Sequence, residues 1–179
     1  MTLFLPALKN LACMTGLVAV LSFTGNIPTF AAEMPSVLTG LVGSWRGNGT
    51  ARAQSGGTNE NVSCKARYTD MEADESLRVE VTCAGLNAKG TLVGFIEYGA
   101  GTSDFVGNWY QNWSTSEGEE NGSLTGTISS NKIRMNVSAA GTVRARLDIQ
   151  LTNANQHSVN MIGIVDGVEE QGMNITFRR

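Results

Sequence analysis

The sequence predicts an all-β protein: an antiparallel meander that closes into a barrel of eight to ten strands, with a β-sandwich as the alternative. Three observations lead there. Short segments alternate apolar and polar residues, as in Ile133, Met135 and Val137 against Lys132, Arg134 and Asn136. Turn residues punctuate these segments about every 8–12 residues, with almost no helical periodicity. The stretch Val62–Gly85 folds onto itself when residues whose numbers sum to 147 are paired. Cys64 then meets Cys83, Ala66 meets Val81 and Tyr68 meets Val79 on one apolar face. A single sheet of this many strands must curl or close, and closure removes its edges.

Taken in order, the chain begins with a segment that reads as a secretory signal over residues 1–32. Lys9 supplies the positive region, Leu11–Phe23 the short apolar run, and Thr29-Phe30-Ala31-Ala32 the small residues at the cut. A membrane anchor is the other reading, but Thr15, Gly16 and Ser22 interrupt the run, which falls short of the ~20 residues a bilayer needs. Lipidation of Cys13 is not supported, since the apolar run continues past it. No transmembrane segment is expected in the mature chain. Without Lys9, the 13 basic residues become 12 against 16 acidic ones, a net charge of −4. No basic cluster stands out, which argues against nucleic acid as a partner. Two cysteines remain, and export makes them a disulfide by default.

Residues 33–41 form a flexible lead with room for one helical turn, in which Pro35 is tolerated and Ser36 caps. The barrel domain is expected over residues 42–179. Its first strand, Val42–Ala53, carries Gly43, Gly47 and Gly49, a density that suits a bulged or curved strand. The hairpin arms follow, then Thr91–Tyr98, with apolar residues on both faces, and Asp104–Trp113. Ser114–Asn121 is a polar loop with Glu117, Glu119 and Glu120. Ser123–Ser129, Lys132–Ser138, Thr142–Leu151, Ser158–Val165 and Gly172–Arg178 complete the meander. Their turns are Ser130-Asn131, Ala140-Gly141, Asn153-Ala154-Asn155 and Asp166-Gly167.

Catalytic chemistry finds little support. His157 is the only histidine and reads as an exposed turn residue; both mature cysteines are committed to the hairpin. No nucleophile elbow, zinc-protease helix or phosphate-cradling loop occurs. Zinc lacks ligands, and three glutamates in a Gly/Ser-rich loop are ordinarily solvated. No cofactor and no metal are expected. The apolar side is more informative. A small barrel either fills its interior or holds one small ligand. Met135, Met161 and Met173, with Leu147, Ile149 and Phe177, fall on the inner face, and methionines adapt to an apolar guest as readily as they fill core gaps. Trp109 and Trp113 share a face near the acidic loop and suit a barrel mouth. The candidate ligand-binding set is Trp45, Trp109, Trp113, Met135, Leu147, Met161, Met173 and Phe177. Six Asn-x-Ser/Thr sequons, at Asn48, Asn61, Asn112, Asn121, Asn136 and Asn174, mark a polar surface.

Gly43-Ser44-Trp45 resembles the opening of the lipocalins and wider calycins, whose first strand carries Gly-x-Trp. That resemblance implies a barrel with a ligand in its interior, and Arg178 or Arg179 lying across Trp45. Trp45, Gly47 and Gly49, then Cys64 and Cys83, then Trp109 or Trp113 with Gly122 and Gly126, resemble short exported proteins of α-proteobacteria. This implies a periplasmic location. The leading expectation is a non-enzymatic periplasmic barrel for a small apolar or amphipathic ligand. The alternative is an interaction module of the cell envelope, an assembly factor or an inhibitor of an exported enzyme. The plan is similar to that of Inh-type protease inhibitors, with the acidic loop and the lead as candidate contact segments.

Overall fold

The computed structural model describes residues 33–52, 56–86, 89–99, 101–114 and 119–179, excepting the side chains of Trp113 and Glu119. The expected signal segment, Ala53 of the expected first strand, and Glu117 lie outside the described residues. A short helix, α1 (Ser36–Leu41), precedes ten strands: β1 (Gly43–Ala51), β2 (Glu60–Met71), β3 (Ser76–Ala84), β4 (Lys89–Tyr98), β5 (Asp104–Trp113), β6 (Glu119–Ile128), β7 (Lys132–Ala139), β8 (Thr142–Asn153), β9 (Gln156–Val165) and β10 (Val168–Arg178). Each strand pairs antiparallel with its neighbours in sequence. β1 closes the barrel by pairing with both β2 and β10, Gly47 lying opposite Cys64 and Phe177.

The hairpin register is the one the sequence predicts, with Cys64 opposite Cys83, Ala66 opposite Val81 and Tyr68 opposite Val79. The two cysteines form a disulfide on the inner face. Glu72–Asp74 make a single 3₁₀ turn between the arms, and Glu75 at φ 46° completes the reversal. The Ala140-Gly141 and Asp166-Gly167 turns both have positive φ at two successive residues, the primed geometry that matches strand twist. The sequence stopped short in two places. β6 begins at Glu119, inside the segment read as a loop, and β10 begins at Val168, its register shifting between Gln171 and Met173. Gly172 falls in that shift, which hides the alternation of the strand's first half.

Period 2 places polar residues outside and apolar ones inside. β2 presents Asn61, Ser63, Lys65 and Arg67 to the outside while Val62, Cys64, Ala66 and Tyr68 are buried. The six sequon asparagines are all exposed. Three large inner rings lie opposite cross-strand glycines: Trp109 between Gly94 and Gly122, Phe105 against Gly126, and Phe177 against Gly47. A methyl added to Gly47 would stand 2.6 Å from the Phe177 ring, so the absent side chain is what seats it.

The lead is not a flexible arm. Val37, Leu38 and Leu41 of α1 are 0–1% exposed and belong to the hydrophobic core. Burial of this kind stabilises by about 2 kcal/mol per side chain, which is what a six-residue helix requires, being too short to persist alone. Pro35 occupies the N-cap position and no side chain caps the helix, so Ser36 does not serve as expected.

Candidate functional site

The interior divides into a packed end and an open one. At the packed end α1 covers a cluster of rings. His157, at the start of β9, stacks on Phe177 with ring centroids 4.8 Å apart and meets the edge of Trp45 at 4.4 Å. Its Nε2 lies 3.1 Å from the Tyr68 hydroxyl. Trp45 donates its indole N–H to the Leu41 carbonyl at 2.7 Å, tying β1 to the helix above it. Arg179 lies over the Trp45 ring at 4.2 Å and donates to the carbonyls of Gly40 and Val42 at 2.7 and 2.9 Å. The C-terminus thus clamps the helix, and the arginine expected across Trp45 is Arg179.

His157 corrects the sequence reading. It is fully buried, not exposed in a turn. Burial, and then the nearby Arg179 charge, push its pKa down from 6.5 to about 4, so the ring is neutral at pH 7. Burial likewise raises Tyr68 above its ordinary value. His157 Nδ1 has no hydrogen-bond partner among the described residues. The pair is a buried polar link within an aromatic core.

Towards the other end the side chains stop short of filling the barrel. A cavity of about 330 Å³ remains, within the range of small-molecule pockets. Its wall is apolar, with Val79, Val81, Leu92, Leu124, Ile149 and Val159 among the contributors. Of the residues expected to bind a ligand, Trp109, Met135, Leu147, Met161, Met173 and Phe177 line it. Trp45 does not: it lies in the packed end, between His157 and Arg179. The Trp113 side chain lies outside the described residues. Trp109 is buried inside the wall, its indole N–H donating to the Ser138 carbonyl at 3.1 Å, so it is lining and not a surface patch. Cys83 also faces the cavity, which puts one sulfur of the disulfide in its wall.

The mouth is polar. Arg52, Glu60, Gln111 and Glu120 complete the lining there. Arg52 pairs with Glu170 at 2.9 Å, and Gln111 donates to Glu120 at 2.7 Å. The sequence reading placed none of these in a site and named only Glu120, as part of a solvated acidic loop. Arg52 stands just beyond β1 and Glu60 at the start of β2, and the inward parity of Gln111 and Glu120 shows only once β5 and β6 are paired.

Solved structures share this fold. The chain is similar to Rv2717c from M. tuberculosis, with a TM-score of 0.56 and 11% identity over 79% of this chain and 94% of that one. It is similar also to the S-type phycobiliprotein lyase CPES from Guillardia theta, with a TM-score of 0.51 and 15% identity over 79% and 89% of the two chains. No curated protein matches it in sequence. Residues 31–179 match the model of a family of proteins of unknown function, DUF1579, and the chain belongs to that family.

Proposed function

We propose that this protein is a non-enzymatic, calycin-like carrier that binds a small apolar or amphipathic ligand inside its barrel, in the periplasm. The cavity carries the reading. Filling 330 Å³ with side chains would add several kcal/mol of stability, at roughly 24 cal/mol per Å³, yet the wall keeps glycine at position 94 and half-buried methionines around it. A barrel closed at one end by a helix and open at the other through a polar rim gives an apolar guest one way in. The disulfide fits an oxidising compartment, and the expected signal segment would deliver the chain there. The phycobiliprotein lyase supports this only through its barrel architecture.

Gly94 offers the direct test. A Cβ there meets its nearest neighbours at 3.6 Å, ordinary contact, so Gly94→Leu enters the cavity without strain at its first carbon and fills part of it. An apolar fluorescent probe should bind the wild type, quench Trp109 and lose affinity at least tenfold in Gly94→Leu. Equal binding by the two proteins would place the probe elsewhere and end the carrier reading.

One observation favours the interaction-module reading. On the outer face of β4 and β5, Val106 and Tyr110 are 56% and 43% exposed, with half-buried Phe95 on the neighbouring strand between their levels. Capture of a stoichiometric envelope partner that Tyr110→Ser abolishes, with probe binding intact, would favour that role.

A further inference from the structure

The cavity's polarity selects among amphipathic guests. Resting on the carrier reading, we infer that the ligand has an apolar body and a cationic or neutral donor head, and that acyl carboxylates are disfavoured. The guest's orientation follows from the two ends. Trp45, His157 and Phe177 pack solidly beneath α1, so a polar head has no place at the base. The polar atoms of the deeper wall are already committed: the Tyr68 hydroxyl to His157, and the Trp109 N–H to the Ser138 carbonyl. An anionic head therefore finds no cation inside, where an unpaired charge would be costly. The head must lie at the mouth.

Acidic groups outnumber basic ones among the described residues at the mouth. Arg52 is the one cation among the described lining residues, and the Glu170 carboxylate and the Asn59 side-chain oxygen already engage it. Glu60 and Glu120, the latter also accepting from Gln111 at 2.7 Å, contribute two further carboxylates from strands four apart around the barrel, so they bracket the opening with net negative charge. The cavity makes the site; the carboxylates set its preference. An ammonium emerging between them is attracted, a carboxylate is repelled, and an alcohol can donate to either.

Three probes with one alkyl chain resolve this: decyltrimethylammonium, decanol and decanoate, titrated below their micellar concentrations against Trp109 fluorescence. The ammonium should bind at least tenfold tighter than the carboxylate, with the alcohol between. Added salt should compress that spread in the wild type, and Glu60→Gln/Glu120→Gln should compress it at low salt. Binding of all three with equal affinity, or tightest binding of decanoate, overturns the charge preference and leaves the carrier reading standing. Failure of all three to bind overturns the carrier reading, and this inference with it.

Discussion

The two ends of the barrel share one wall and use it differently. Near α1 every inner position is filled: Trp45, Tyr68, His157 and Phe177 are at most 2% exposed, and the C-terminal Arg179 clamps the helix onto them. Towards the mouth, Val81, Val137, Leu147, Met161 and Met173 are only half-buried around open volume. Strand order is the same at both ends, while the register shifts beside the cavity at Val137/Ser138 and at Gln171/Met173. The two ends therefore differ in side-chain volume and in these local irregularities of the strands. Stability is concentrated at one end, which leaves the other free to be shaped for a guest.

Truncation should expose that asymmetry most strongly. Trp45→Ala removes a ring that touches His157, carries the Arg179 contact and holds the Leu41 carbonyl, and should cost about 3–5 kcal/mol in denaturant unfolding. Met161→Ala at the open end merely widens an existing space and should cost about 1 kcal/mol or less, below the usual range for a packed methionine. Similar losses for the two variants would mean that the open end is packed in solution.

Acid should attack the packed end next. His157 titrates near 4 in the folded protein and near 6.5 unfolded, so the unfolded state binds the proton first as pH falls. Stability from this group is complete above pH 6.5 and is lost as pH drops towards 4, by about 3 kcal/mol in all. Unfolding free energies measured across that window should fall more steeply for the wild type than for His157→Gln. Parallel curves would remove His157 from the acid response.

The disulfide joins neighbouring strands at one level of the wall, Cys64 lying directly opposite Cys83, which faces the cavity. Its loss in Cys64→Ala/Cys83→Ala should cost about 3 kcal/mol through the unfolded chain, with the register kept by Ala66–Val81 and Tyr68–Val79. A change in the cavity's probe affinity larger than about threefold would show that the bridge shapes the site as well.

What the sequence made legible follows the same division. Period 2 identifies the inner faces of β2, β3, β7 and β8, and the cysteine pair supplies a register, so the hairpin and the methionine lining can be read residue by residue. His157 could not be read that way. Its neighbours Asn155, Gln156 and Ser158 are those of a turn, and its burial comes from Tyr68, 89 residues away, and from Trp45, brought over it when β1 pairs with β10. The open interior was equally hidden, because it is a difference between barrel radius and side-chain volume that no single strand records. The mouth was hidden because its residues stand at or near strand ends, where too few alternating neighbours remain to assign a face.

The inner glycines provide the finest test of that division, because the same residue type does two jobs. A methyl on Gly126 would meet the Arg134 carbonyl oxygen at 2.1 Å and the Phe105 ring at 2.7 Å. Gly126→Ala should thus cost about 1–3 kcal/mol, the usual penalty for forcing atoms into a filled space. On Gly94 the same methyl enters the cavity and meets only ordinary contacts at 3.6 Å. Glycine inside a strand is less favourable than alanine by roughly 0.5–1 kcal/mol, so Gly94→Ala should stabilise the protein by up to that amount. It should also weaken the binding of a probe that fills the cavity. Paired thermal melts and probe titrations measure both effects. A destabilised Gly94→Ala would mean that this stretch of wall is as tightly packed as the end beneath the helix.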